Sequence, residues 1–144
     1  MYPVPITLQS LFVLLAGGIL GPRLGSAAIV CWLCLAMIGL PLLADGEGGL
    51  KPFLGPTAGY LAAFAPMAWI VGRAMMRGKG NTVAALFTAG VAAHALCLGV
   101  GVIWLSRFLP LGEALVQGVY PFIPGALIKS AAAACLLAVL RQYR

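Results

Sequence analysis

Charge is scarce in this sequence, and negative charge is nearly missing. Of 144 residues only 8% are Asp, Glu, Lys or Arg, three of them acidic and nine basic. A soluble globular domain carries roughly 25% charged residues, so a water-soluble monomer is excluded. Disorder is excluded as well, because it needs low hydrophobicity and high charge, whereas 62% of residues here are hydrophobic and the mean hydropathy is +1.06. One histidine, with four cysteines spaced by 3, 63 and 38 residues, does not make a zinc site. No phosphate-binding loop, nucleophile elbow or paired-carboxylate site is present, so the sequence offers no machinery for an enzyme and implies no cofactor.

What is there is apolar length. A helical membrane span needs about 20 apolar residues to cross about 30 Å of hydrocarbon. Five such spans fill the chain, which reads as a single all-α integral membrane domain over residues 1–144 in the lipid bilayer. Pro3 and Pro5 keep the start extended, and the first span covers Ile6 to Leu20. Gly17 and Gly21 within it stand at a small-xxx-small spacing that lets a neighbouring helix approach closely. A turn over Gly21-Pro22-Arg23-Leu24-Gly25 follows, and the second span runs from Ser26 to Leu43. After a glycine-rich loop from Asp45 to Pro52, Gly55-Pro56-Thr57-Ala58-Gly59-Tyr60 leads into a third span that ends near Met76 and is kinked by Pro66. The fourth runs from Thr82 to Phe108, with Ala85, Ala89, Ala93, Cys97 and Gly101 every four residues as a close-packing face. A loop with Pro110, Gly112 and Glu113 connects to the fifth, which opens at Pro124-Gly125 and runs to Leu140.

The basic residues stand singly or in small groups between apolar runs, a pattern that fits membrane topology and argues against a nucleic-acid partner. With the C-terminus in the cytoplasm, Arg23, Arg73, Arg77, Lys79, Arg141 and Arg144 lie inside and Lys51 and Arg107 outside. All three acids then face outward. This partition obeys the positive-inside rule and reads as a multi-pass membrane protein with its C-terminus inside.

In this topology the Gly/Pro-rich starts of the third and fifth spans, and the N-terminal Thr7-Leu8-Gln9, meet at the outer face. Helix N-termini expose unpaired N–H groups and favour anions, and irregular backbone at membrane depth lines cavities. An outward-facing small-molecule pocket is expected. Lys129 lies inside the last span with no acid in any span to pair with it; an ionisable residue there is functional by default, and an anionic ligand is its natural partner. Snorkelling to the interface is the bland alternative. His94, alone in mid-span, reads as a hydrogen-bonded packing residue. Trp104 reads as part of an interfacial aromatic belt, while Tyr60 reads as a ring contact. The Cys31-Trp32-Leu33-Cys34 run lacks a thioredoxin-like context and reads as packing.

Pro5-Ile6-Thr7-Leu8-Gln9-Ser10, Leu20-Gly21-Pro22-Arg23-Leu24-Gly25, Gly55-Pro56-Thr57-Ala58-Gly59-Tyr60-Leu61 and Pro121-Phe122-Ile123-Pro124-Gly125 occur in this order along nearly the whole chain. In this the sequence resembles the BioY family, the biotin-binding S-components of energy-coupling-factor (ECF) transporters. The resemblance implies biotin as ligand, a transmembrane coupling subunit and ATPase subunits as partners, a six-helix S-component fold, and a place in a bacterial cell (inner) membrane. Against that fold this sequence begins at the stretch after the first helix, and so is expected to lack it. The family usually reads Pro-Gly-Asp-x-x-Lys at the last helix; here the lysine is Lys129 and Ala126 stands at the aspartate. The resemblance assigns Lys129 to charge complementarity, Thr57 and Tyr60 to hydrogen bonding and ring contact, Gly55, Gly59 and Gly125 to close backbone approach, and Gln9 to the strip covering the pocket. The rival expectation is a non-transporting scaffold or paralogue that binds a different small anionic ligand.

Overall fold

The computed structural model describes Val4, residues 6–77 and residues 82–142. Pro3, Pro5, Lys79 and Arg144, which entered the expectations above, lie outside the described residues. Among those described, all regular structure is helical: α1 (Gln9–Met37), α2 (Lys51–Leu54), α3 (Ala58–Arg77), α4 (Thr82–Leu105), α5 (Leu111–Gly118) and α6 (Ile123–Gln142), with single 3-10 turns at Ala44–Gly46 and Tyr120–Phe122. Gln9–Met37, Val83–Leu105 and Leu111–Gln142 are long and apolar enough to cross a membrane. By that measure three spans stand where five were expected. One reason is that two expected spans lie in the single stretch α1; α3, which carries Arg73 and Arg77, is not among the three.

The break in α1 decides the architecture. Gly21 takes φ 83° and ψ 175°, a region that only glycine occupies without strain. Pro22 follows, and a residue before proline is pushed out of the helical region. Beyond the break Pro22 is the first helical residue, where its missing N–H costs nothing. The expected five-residue turn is therefore one residue long, and the helix resumes four residues before Ser26. The chain folds back sharply: a Cβ on Gly25 would lie 2.7 Å from the Gly17 Cα. Gly21 is thus a turn residue, and its backbone also packs on α3, where a Cβ on Gly72 would lie 2.7 Å from the Gly21 carbonyl carbon.

The two halves of α1 pack against α3 and α6. Added methyl groups on Gly17 and Gly72 would strike the Ala68 backbone and, at 2.5 Å, the Pro22 nitrogen. Ser26 donates its hydroxyl to the Ala65 carbonyl at 2.9 Å, and the Trp32 ring stacks on Phe64 with centroids 6.1 Å apart. α4 crosses α3 with Gly59 against Trp104 and Gly101 against the Tyr60 ring. α6 meets α4 where Gly90 lies 3.0 Å from Ser130 on the same measure, and meets α1 where Gly18 faces Leu137. Lipid tails are as apolar as leucine side chains, so helix association here relies on this backbone proximity and van der Waals contact. The four-residue stripe on α4 is buried only from Ala93 through Cys97 to Gly101; Ala85 is exposed. Leu24, Ile38, Ile103 and Ile128 are exposed on the outer surface, as lipid contact requires.

These contacts alternate the rods. The first half of α1, α3 and α6 begin at one end of the bundle; the second half of α1 and α4 finish there. The chain between the expected fourth and fifth spans is not a plain loop, since it contains α5. Glu113 in the first turn of α5 complements the helix dipole. Pro66 lies inside α3, whose helix continues through it.

Glycine at the α1–α3 contact is expected to be indispensable in a way that helical glycine elsewhere is not. Gly17→Ala should lower stability in detergent by about 1–3 kcal/mol through overpacking. Gly99→Ala, where an added Cβ meets nothing within 4 Å, should stay within about 0.5 kcal/mol. Thermal unfolding of both variants checks this, and equal melting temperatures would refute the close α1–α3 contact.

Candidate functional site

At the end of the bundle where α3 and α6 begin, a cavity of about 430 Å³ opens between α1, α3, α4, α6 and the 44–52 loop. Its wall is mixed in a way the rest of the interior is not. Phe64, Tyr60 and Phe122 supply aromatic surface, and Tyr60 and Phe122 lie 6.3 Å apart between centroids. Leu43, Leu61 and Leu98 add aliphatic wall. Polar groups converge from four places: Thr7, Gln9 and Ser10 at the start of α1, Asp45 and Glu47 in the loop, Thr57 before α3, and Lys129 on α6.

Lys129 reaches inward to the N-terminal strip, not along α6 toward the surface. Its ammonium donates to the Thr7 carbonyl at 2.5 Å and to the Ser10 hydroxyl at 3.2 Å. An ammonium has three donors, so one remains for a ligand. The strip is itself ordered, because the Thr7 hydroxyl donates to Gln9 Oε1 at 3.2 Å and accepts the Gln9 backbone N–H at 3.4 Å.

The Thr57 and Tyr60 hydroxyl protons are already spent. Thr57 donates to the Pro52 carbonyl at 3.0 Å, and the buried Tyr60 hydroxyl donates to the Gly118 carbonyl at 2.8 Å. Thr57 can then only accept from a ligand. Tyr60, whose hydroxyl is hemmed in by Gly118 and Leu105, contributes its ring. His94 and Cys97 from the middle of α4 also border the cavity, with Cys97 Sγ placed 3.7 Å from the Tyr60 carbonyl. The site therefore offers one cation, the amide of Gln9 and the hydroxyl of Ser10 as donors, and several acceptors between aromatic walls. Such a set suits a ligand that is anionic at one end and carries N–H donors elsewhere.

Of the residues singled out in the sequence, Lys129, Thr57, Tyr60 and Gln9 come together on this cavity. Gly55, Gly59 and Gly125 are not among its lining residues. The Gly55 carbonyl accepts the Trp104 indole N–H at 2.9 Å, and Gly59 lets α4 approach α3 at the same tryptophan. Trp104, read from sequence as an interfacial ring, thus ties the end of α4 to the turn before α3. A Cβ on Gly125 would come within 4.0 Å of the Lys129 side chain only. Ser10, His94, Cys97 and Phe122 were missed as lining residues. Phe122 had a signal in the Pro-Phe-Ile-Pro-Gly run; Cys97 had one in the α4 stripe, and that signal pointed to packing.

A model described as the BioY family matches residues 1–144. The chain is 40% identical to the probable biotin transporter BioY of Pyrococcus horikoshii, covering 91% of this chain and 76% of that protein. It is 38% identical to the biotin transporter BioY of Rhodobacter capsulatus, covering 99% and 82%. Among solved structures, the S-component for biotin from an ECF-type ABC transporter superposes with a TM-score of 0.87 at 34% identity, over 99% of this chain and 78% of that one.

The Tyr60–Gly118 bond joins α3 to the end of α5 across the site and is buried. Tyr60→Phe leaves the Gly118 carbonyl without that donor and should cost about 1–3 kcal/mol in thermal unfolding. Unchanged melting would mean that the bond does not hold α5 in place.

Proposed function

Since the chain belongs to the BioY family, we propose that it is the membrane-embedded substrate-binding subunit for biotin uptake, capturing biotin at the outer face while separate coupling and ATPase subunits supply the energy. What carries the reading is the cavity's chemistry in a chain of this family. Biotin has a carboxylate on a flexible apolar arm, an apolar sulfur-containing bicycle, and a urea with two N–H donors and one carbonyl. Lys129 complements the carboxylate, Tyr60, Phe64 and Phe122 the apolar parts, and the acceptor-rich remainder of the wall the urea donors. The Thr7–Ser10 strip, tied down by Lys129, and the 44–52 loop cover the bound ligand.

Membrane topology follows the same logic. Five alternating passes with the C-terminus in the cytoplasm put Arg23, Arg73, Arg77 and Arg141 on the cytoplasmic side, at the end of the bundle remote from the cavity. Lys51 and Arg107 belong to the cavity end. The positive-inside rule then turns the cavity outward, as capture before transport requires.

Biotin titration in detergent tests the reading, and a parent protein that does not bind biotin overturns it. A charge-assisted hydrogen bond contributes about 1.5–3 kcal/mol net, so Lys129→Met should weaken binding roughly 10- to 150-fold. Affinity equal to the parent's would leave Lys129 as an anchor of the N-terminal strip only. A melting curve of the same variant separates loss of ligand contact from unfolding, because Lys129 also holds Thr7 and Ser10.

A further inference from the structure

His94 is 94% buried in the middle of α4, with a relative exposure of 6%. Its Nδ1 lies 3.0 Å from the Gly90 carbonyl and 3.1 Å from the Ser130 hydroxyl oxygen. A carbonyl oxygen only accepts, so the proton must sit on Nδ1 for the 3.0 Å contact to be attractive. In the neutral imidazole that leaves Nε2 as a bare acceptor, and both neighbours of Nδ1 lie on the other side of the ring. Nε2 is the one buried side-chain nitrogen or oxygen without a hydrogen-bond partner among the described residues. Buried polar atoms are paired in nearly every native structure, so an orphan needs an explanation.

The position of the ring supplies one. His94, Leu98 and Ala126 border both the main cavity and a second, almost wholly apolar space of about 150 Å³ between α4 and α6. Leu98 and Ala126 have no polar side-chain atom, so His94 is the only residue shared by the two spaces whose side chain can hydrogen-bond. The other acceptors around the cavity differ from it: Asp45 and Glu47 are exposed to water, and Thr57, which donates to Pro52, is only part-buried. Nε2 is the one acceptor among them that is both buried and without a hydrogen-bond partner.

We infer that His94 Nε2 is a ligand-recognition group, accepting one N–H of the substrate at the α4–α6 wall, with Gly90 and Ser130 fixing the imidazole in the tautomer that does so. Resting on the biotin reading above, the donor is identified by elimination: the ionised vitamin has N–H groups only in its urea ring. One urea N–H therefore points at α4, and the carboxylate is held elsewhere. Ser130 and the carbonyl of Gly90 act as positioning groups, since they touch the imidazole and not the ligand.

Binding of biotin and of its two mono-N-methyl urea analogues, measured by titration calorimetry on the full chain in detergent, tests this. Asparagine reaches the place of Nδ1 but puts no atom at Nε2, whereas the carbonyl of glutamine reaches the place of Nε2. His94→Asn should weaken biotin about 5- to 100-fold, the range for losing a buried hydrogen bond, and His94→Gln should stay within a few-fold of the parent. One N-methyl analogue should bind the parent poorly, and that penalty should largely vanish in His94→Asn. Biotin affinity unchanged in His94→Asn, with the parent binding normally, overturns the inference and leaves the biotin reading intact. If His94→Asn does not fold, equal affinity of the parent for biotin and both analogues overturns it instead. A parent that binds none of the three ligands overturns the biotin reading and the inference together.

Discussion

Everything at the site depends on the reversal at Gly21. With φ 83° and ψ 175°, that residue turns a 29-residue apolar stretch back on itself, and no residue with a Cβ adopts that conformation cheaply. The fold-back brings Gly17 against Gly25 and lets both halves of α1 pack on α3, through Gly17 and Gly72. The first half then starts at the same end as α6, and Lys129 can meet Thr7 and Ser10 across 122 and 119 positions of sequence. In a straight helix the N-terminal strip would lie about 40 Å from residue 37, at 1.5 Å per residue, and could not close over the cavity.

A second constraint is the low dielectric of the bundle interior. Polar groups there are costly unless hydrogen-bonded, and the site satisfies most of them internally. Thr57 and Tyr60 spend their protons on backbone carbonyls, and Trp104 spends its indole N–H on Gly55. The result is a cavity whose remaining donors are gathered at Lys129, Gln9 and Ser10, while Thr57 and the 44–52 loop present acceptors. That asymmetry is a statement about ligand chemistry, and it arises from which carbonyls the fold brings near which hydroxyls. Residues of similar composition in another packing would offer their protons outward.

Glycine serves three different purposes in this chain, and composition alone does not tell them apart. Gly21 makes a turn by positive φ; Gly17, Gly72, Gly59 and Gly101 let helices touch; Gly99 has open space beside it. The expectation that Gly55 and Gly59 approach a ligand rested on their place in a Gly/Pro-rich helix start. In the fold, that same smallness accommodates Trp104, a side chain 45 residues beyond Gly59. His94 is the buried, hydrogen-bonded residue that its isolation in mid-span implied, but Ser130 and the Gly55 partner of Trp104 lie on other segments, and periodicity within a single helix carries no record of them.

Apolar runs, their punctuation by glycine and proline, and the lone intramembrane Lys129 were all legible in the amino-acid sequence, because each follows from local solvation and backbone sterics. So was the helical class, and so was the grouping of Thr57, Tyr60, Gln9 and Lys129, since all four fall near span boundaries that an alternating topology must bring to one side. The short helix α5, the one-residue turn at Gly21 and the direction in which each hydroxyl donates were decided only by the tertiary structure. The unpartnered edge of His94 was decided there too: Gly90 lies one turn away on its own helix, but Ser130 and the cavity wall arrive with α6, and which ring nitrogen stays free depends on where they arrive.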